Sequence, residues 1–371
     1  MNAKAAWYHV SNIDEIDTPA LLFYPERIEE NISGVKKILN NIDRLRPHVK
    51  THKCIEVAQL MLSAGITKFK CATIAEAEML AIAKAPDVLF AYQPVLIKLH
   101  RLLGLIKTYK HTKFSCLIDN ISSATMIAAE AEKSSAAITV FIDVNTGMNR
   151  TGIIPALVFK LYEACLKLNG ITVQGLHVYD GHIYTSNLQQ RSMECEASFA
   201  EVETVINQIE AKGNKKLDVV AGGTPTFPVF AKMTNVECSP GTFILWDAGY
   251  QKLFPDLPFV PAALIITRVI SILNDDTFCL DIGHKSISAE NDLANRVVFL
   301  NAPDVKFIAH SEEHLVIKTS NKNAFKIGDV LYGLPVHICP TCALYEEATI
   351  INNEKADCTW KIIARNRIIA L

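Results

Sequence analysis

Arg46-Pro47-His48-Val49-Lys50-Thr51-His52-Lys53 ends a short apolar and basic run and leads into the helix-like Cys54-Ile55-Glu56-Val57-Ala58-Gln59-Leu60. A strand end that opens directly onto a helix is half of a βαβ unit, and here it crowds two histidines and two lysines. A lysine desolvated among other cationic groups loses proton affinity and becomes a nucleophilic amine, able to form a Schiff base with a carbonyl. The alternative is a basic surface turn, since charge runs are usually solvated.

Working outward, the same alternation recurs. Short β-rich runs are expected at 20–24, 44–50, 67–73, 87–92, 113–119, 137–145, 171–179, 217–221 and 235–239. Between most of them lie amphipathic helical stretches, at 25–40, 74–84, 121–133 and 188–211. Strand and helix alternating at this spacing predict a parallel α/β sheet, and eight or nine units fit a closed (β/α)8 barrel. The competing fold is an open doubly wound sheet. No Gly-x-Gly-x-x-Gly follows the first strand, which weakens a dinucleotide-binding version. After residue 260 the pattern changes to strand-like runs at 262–273, 277–282, 296–300, 314–318 and 330–334, with turn signals at Asn274-Asp275-Asp276 and Ile327-Gly328-Asp329. We therefore expect a barrel domain over 20–258 and a β-rich domain over 259–371, which residues 1–19 join.

The chain has 371 residues, half of them apolar and 20% charged, with a net charge of -2. That balance supplies no electrostatic footprint for nucleic acid and no basic membrane face. The most apolar stretch, 259–273, is too short to span a bilayer and is interrupted by Pro261 and Arg268. The beginning of the chain shows no apolar signal-like region, and ten scattered cysteines do not form a disulfide framework. A cytoplasmic enzyme with reduced thiols is the expectation.

The chemistry-bearing motifs sit at the carboxyl ends of the expected strands, which a barrel gathers onto one face. Lys50 ends one strand, and Asn145-Thr146-Gly147-Met148-Asn149-Arg150-Thr151-Gly152 ends another. His177-Val178-Tyr179-Asp180-Gly181-His182 ends a third and Gly222-Gly223-Thr224-Pro225-Thr226 a fourth. The glycine pair with Thr224 suits a phosphate, through free backbone N–H groups and a hydroxyl, or is only a tight turn. Arg150 is either a carboxylate or cofactor clamp or a partner of Asp143 within its loop. His177 and His182 either face the site or sit in the core. Near the other end of the chain, His337 and Cys339 alternate along an expected extended segment and so share a face. Imidazole and thiolate suit Zn2+. Cys339-Pro340-Thr341-Cys342 has the spacing of a redox pair, and small buried thiols are the third reading.

These pieces resemble the D-threonine aldolase and D-serine dehydratase family. The resemblance is carried, in order, by Asp17-Thr18-Pro19-Ala20, the octapeptide, Cys71-Ala72-Thr73 with Glu76-Ala77-Glu78, the Gly147–Gly152 run, Gly181-His182 and Gly222–Thr226. It continues through Pro240-Gly241-Thr242, Asp281-Ile282-Gly283-His284-Lys285-Ser286, Ser311-Glu312-Glu313-His314 and His337-x-Cys339. It implies a fold-type III pyridoxal 5'-phosphate enzyme with an alanine-racemase-like barrel, and a β-rich domain that supplies a divalent metal. By that resemblance Lys50 matches the Schiff-base lysine, and Gly222, Gly223 and Thr224 match the phosphate cradle. It also sets the run at 20–24 ahead of the barrel, leaving eight strands with Lys50 ending the first. Tyr179 matches a cofactor-contacting tyrosine, Arg150 the arginine near the ring, and His337 with Cys339 the metal ligands. Zinc is the expected metal, with manganese or magnesium as alternatives. The family is usually dimeric, so a homodimer is expected.

The implied activity is a lyase reaction on a small D-β-hydroxy amino acid. It is either aldol cleavage to glycine and an aldehyde or dehydration to a keto acid and ammonia. His52 is a candidate proton carrier beside Lys50. The His-x-Cys pair resembles the family's dehydratases, whereas its aldolases often carry His-x-Asp, and one ligand leaves the two reactions open. An amino-acid racemase and a non-catalytic pyridoxal phosphate carrier are the remaining alternatives.

Overall fold

The computed structural model describes residues 6–212 and 216–371. Residues 1–5, which were expected to join the β-rich domain, lie outside the described residues. The chain forms two compact units. One takes the chain as far as Gly34, then Thr51–Val57 and Thr242–Arg365; the other takes Val35–Lys50, Ala58–Gly241 and Asn366–Leu371.

Strand β1 (Ala20–Phe23) comes first in the chain. A seven-stranded parallel sheet follows in strict sequence order: β2 (Lys68–Cys71), β3 (Asp87–Phe90), β4 (Lys113–Ile118), β5 (Ile138–Val144), β6 (Ile171–Val178), β7 (Asp218–Ala221) and β8 (Val236–Cys238). Strands β2 to β5 are almost continuously buried, as expected of parallel strands covered on both faces. Leu89, Leu117, Phe141 and Val220 meet as one apolar cluster.

Helices connect the strands: α1 (Pro25–Leu39), α2 (Ile55–Ser63), α3 (Ile74–Ile82), α4 (Leu96–Thr108), α5 (Ile121–Lys133), α6 (Pro155–Cys165), α7 (Leu188–Ala211) and the single turn α8 (Phe227–Phe230). Thr73, Asn120 and Asn187 cap α3, α5 and α7 by accepting from the backbone N–H of Glu76, Ser123 and Gln190.

The barrel's eighth position belongs to residues 45–49. Leu45 bridges Cys238 and His48 bridges Lys70, both in parallel sense. Arg46 N–H donates to Cys238 (2.8 Å), His48 N–H to Pro240 (2.9 Å), Val49 N–H to Lys70 (2.9 Å) and Lys70 N–H to Pro47 (2.9 Å). The run is thus tied to β8 on one side and to β2 on the other, which closes the (β/α)8 barrel. It is not the regular strand expected over 44–50. Pro47 has no N–H to give the ladder, and bridges take the place of continuous pairing.

The second sheet contains β9 (Ala263–Asn274), β10 (Thr277–Leu280), β11 (Val297–Phe299), β12 (Lys306–His310), β13 (Leu315–Lys318), β14 (Val330–Pro335), β15 (Glu347–Asn352) and β16 (Lys355–Lys361). Its order is β12-β13-β10-β9-β1-β15-β16, with β14 on β9 and β11 on β14. β1 runs antiparallel to β9 and parallel to β15. The run at 20–24, read above as the start of the barrel domain, therefore lies within the β-rich sheet. Val10 and Ile16 pack with Leu22, Tyr24, Leu264, Ile266 and Tyr332. Residues 242–258, read above with the barrel, carry α9 (Ala248–Leu253) and fall in the same unit as this sheet.

Arg46 is fully buried at the barrel seam. Its Nη1 meets Asp87 at 2.6 Å and its Nε meets Glu237 at 2.8 Å, and Lys68 also pairs with Glu237. Removing one partner of a buried ion pair strands the other charge. Arg46→Ala should cost about 3–5 kcal/mol in urea unfolding. A loss below about 1 kcal/mol would show that the seam does not depend on this pair.

Candidate active site

The mouth of the barrel holds a cavity of about 600 Å3 lined by His48, Lys50, Lys70, Ala72, Ala91, Tyr92, Gln93, Val95, Asp119, Arg150, Thr151, His177 and Tyr179. Lys50 is exposed at the end of the closing segment, and its N–H donates to His48 Nδ1 at 3.2 Å. Arg150 arrives on the loop after β5 and stands 5.3 Å from the Tyr179 ring centre. Lys50, Arg150 and Tyr179, singled out in the sequence, thus share one cavity.

The floor of the cavity is polar and ordered. His177 Nδ1 and Asp143 Oδ1 are 2.7 Å apart, both residues buried. Gln93 Nε2 donates to Asp143 (2.8 Å) and to Asp119 (3.1 Å), and Asp119 also accepts from Gly152 N–H (3.2 Å). Burial pushes His177 below its ordinary range. For Asp143 burial is the largest single effect and acts upward, but the contacts with His177, Thr151 and Gln93 together outweigh it and hold the carboxyl low. The pair is therefore a neutral imidazole donating Nδ1–H to a carboxylate. His177 Nε2 is left as a buried acceptor with no hydrogen-bond partner among the described residues.

The glycine turn lies against Tyr179. Gly222 has φ +74, where a side chain would be strained, and a Cβ there would meet the Phe230 ring at 3.1 Å. A Cβ on Gly223 would sit 3.5 Å from the Tyr179 ring, an ordinary packing distance, so the turn lies directly against that ring. Gly223 N–H donates to Asp180 Oδ1 at 3.2 Å, and Thr224 Oγ1 accepts from Gly241 N–H at 3.0 Å.

His52 is not brought to the cavity. It belongs to the other unit and is fully buried, with Nδ1 accepting from Cys54 N–H at 3.2 Å. Burial pushes it down to about 3, so it is a neutral core imidazole at ordinary pH. The histidine of the octapeptide at the cavity is His48. Lys70 was also missed in the sequence. Its signal was a lysine between Phe69 and Cys71 inside a barrel strand, where both faces are buried.

In the β-rich unit, His337 is the N-cap of a short helix, α10 (Ile338–Cys342), and Cys339 lies inside it. The expected extended alternation is therefore absent, yet the two side chains are hydrogen-bonded to each other. Burial lowers the His337 pKa, but Cys339 and Glu290 outweigh it and hold His337 up at about 9. Glu290 accepts from His337 Nδ1, an arrangement that orients the imidazole. Thr51 Oγ1 and Thr242 Oγ1 lie 3.2 and 3.6 Å from Cys339 Sγ. Among the described residues no group of three or more His, Cys, Asp or Glu side chains converges as a metal site. Cys342 is buried, its pKa raised by burial, and its thiol donates to His52 O at 3.5 Å, which suits a core thiol rather than a redox partner.

A parallel α/β barrel with a lysine-lined cavity at its carboxyl face, in a chain that also forms a β-rich unit, defines an alanine-racemase-like architecture. Comparison with known proteins agrees. The model of "Alanine racemase, N-terminal domain" matches residues 25–245, and that of "Putative serine dehydratase domain" matches 262–351. The chain belongs to the alanine racemase N-terminal domain family, within the D-threonine aldolase and D-serine dehydratase group.

It is 26% identical to the 3-hydroxy-D-aspartate aldolase of Paracoccus denitrificans (strain Pd 1222), over 95% of this chain and 93% of that protein. It is also 26% identical to the D-threonine aldolase of Arthrobacter sp, over 94% and 93%. The crystal structure of D-threonine aldolase from Filomicrobium marinum superposes with a TM-score of 0.88 at 23% identity, covering 99% of this chain and 100% of that one. No helix among the described residues is long and apolar enough to cross a membrane.

The burial of His52 has a measurable consequence. Its folded pKa lies far below the unfolded value near 6.5, so between the two only the unfolded chain takes the proton. Stability therefore falls as pH drops from about 6.5 towards 3, by up to ~1.4 kcal/mol per unit from this group. His52→Gln should flatten the acid limb of a urea-stability profile by that slope. An unchanged limb would show that His52 is solvated.

Proposed function

We propose that the chain is a pyridoxal 5'-phosphate- and divalent-metal-dependent lyase acting on D-β-hydroxy amino acids. The observation that carries the reading is the convergence of Lys50, Arg150 and Tyr179 on one cavity, with the Gly223 turn against the same tyrosine. The partnerless His177 Nε2 is a further feature that a bound ring system would satisfy. The domain roles follow: a cofactor-binding barrel and a metal-binding β-rich domain.

Lys50 would hold the cofactor covalently through Nζ, with Arg150 and Tyr179 beside the ring and Gly222, Gly223 and Thr224 at the phosphate. When bound, the cofactor supplies an electron sink for charge developing at the substrate's Cα. Arg150 provides a planar cation suited to a carboxylate. Asp143 keeps the His177 proton on Nδ1 and so keeps Nε2 an acceptor at the cavity. Lys50, when its amine is neutral, is the group placed to take a proton at Cα. His48, beside Lys50 in the cavity, takes over the proton-carrier role first assigned to His52.

The donor set of His337 and Cys339, with Glu290 orienting the imidazole, suits zinc as two protein ligands, the rest coming from water or substrate. A cation there supplies Lewis-acid polarisation of an oxygen ligand. The relatives' names divide between aldolases and dehydratases, and the two reactions stand nearly balanced. The matched 262–351 segment covers the β-rich sheet, which a barrel-only carrier does not have. The reading includes a homodimer in the cytoplasm, in keeping with ten cysteines of which none forms a disulfide.

Product analysis separates the two reactions: pyruvate from D-serine and 2-oxobutyrate from D-threonine mark dehydration, glycine with acetaldehyde marks aldol cleavage. Neither product set from either substrate would refute the lyase reading. Wild type should show the lysine-imine absorbance of the bound cofactor, and Lys50→Ala should lower turnover by about 10^3-fold or more. Cys339→Ala should cut activity at least about tenfold with the absorbance band retained, checked by metal analysis of the purified protein.

A further inference from the structure

We propose that Lys70 is a second carbonyl-reactive amine of the barrel cavity, placed to form a C=N bond with an aldehyde that enters it. The inference extends the cofactor reading of Lys50 and shares its cavity. Lys70 lies in β2, whose last three residues, Phe69, Lys70 and Cys71, are all buried. Its backbone N–H and C=O are both tied to the closing segment, at Pro47 and Val49. Its side chain nevertheless lines the same cavity as Lys50 and Tyr179, with Nζ 5.4 Å from the tyrosine ring centre.

Among the described residues the Lys70 ammonium makes no ion pair and no side-chain hydrogen bond. Four charged groups face it. Lys50 and Arg46 disfavour its proton, while Asp143 and Asp180 favour it. Both carboxylates are already engaged, Asp143 with His177 and Gln93 and Asp180 with Gly223 N–H. Burial is the largest effect and brings Lys70 down to about 7. An ordinary lysine at pH 7.5 is unprotonated in only about one part in a thousand. A buried lysine beside a second amine is an established route to a nucleophilic amine.

The step balances without a co-reactant. The Nζ lone pair attacks the carbonyl carbon, both nitrogen protons leave with the carbonyl oxygen as water, and a C=N bond remains. In the intact site Lys50 takes the cofactor, and Lys70 is open to small aliphatic aldehydes. Without Lys50 it takes the cofactor's carbonyl itself.

Reductive trapping tests this. Wild type, Lys50→Ala and Lys50→Ala/Lys70→Arg are each incubated with pyridoxal phosphate and cyanoborohydride, and the labelled lysine is located by peptide mass mapping. Wild type should carry the phosphopyridoxyl group on Lys50. In Lys50→Ala the label should move to Lys70, at least ~10-fold above any other lysine. The double variant keeps the cation but has no imine-forming amine, and should lose that label. Lys50→Ala labelled no more at Lys70 than at surface lysines would overturn the proposal. If wild type takes no label at Lys50, the cofactor assignment falls separately. Acetaldehyde with cyanoborohydride then decides Lys70 alone: preferential alkylation there supports the proposal, and an even spread over surface lysines defeats it.

Discussion

Closure of the barrel through a segment that contains proline is the constraint on which the catalytic face depends. Seven strands pair in sequence order, but the ring is complete only when residues 45–49 bind β8 and β2 at once. Four backbone hydrogen bonds do this around Pro47, and the buried Arg46 adds charged contacts to Asp87 and Glu237. The same segment delivers Lys50 to the cavity. A shift of one residue in its register would turn Arg46 and the residues that flank it to the opposite faces.

The cavity's order comes from one chain of hydrogen bonds. Asp119, Gln93, Asp143 and His177 lie on consecutive βα connections and strand ends, and each fixes the next. Such a network is worth more than its separate bonds because its members are held in a low-dielectric interior. It leaves one acceptor, His177 Nε2, with no hydrogen-bond partner among the described residues. Polar groups of that kind are costly unless a ligand satisfies them, which is why they gather where ligands bind.

Much of this was legible from the chain. Alternating strands and helices announced the barrel, whose geometry sends the motifs holding Lys50, Arg150 and Tyr179 to one face, while the choice of these three side chains came from the family resemblance. Other features depended on tertiary context. Ala20–Phe23 reads like a barrel strand because apolar runs carry no label for the sheet they join, and only pairing with β9 and β15 decides it. His52 and His48 look equivalent four residues apart, yet one is fully buried and the other lines the cavity. Lys70 lies within a strand rather than at a motif-bearing strand end, so no motif singled it out. His337 and Cys339 were paired for the wrong reason: a helical turn, not an extended run, brings them together.

The place of β1 inside the second sheet also governs how the chain must be made. On the ribosome this strand emerges early, while its two neighbours, β9 and β15, come from beyond residue 262. Both of its edges therefore wait unpaired during synthesis of the whole barrel. Barrel strands can pair with neighbours as they appear, but the central ribbon of the second sheet can form only after β15 has been made. Until then the nascent chain carries an unsatisfied apolar strand, Leu21-Leu22-Phe23, the kind of segment that chaperones shield.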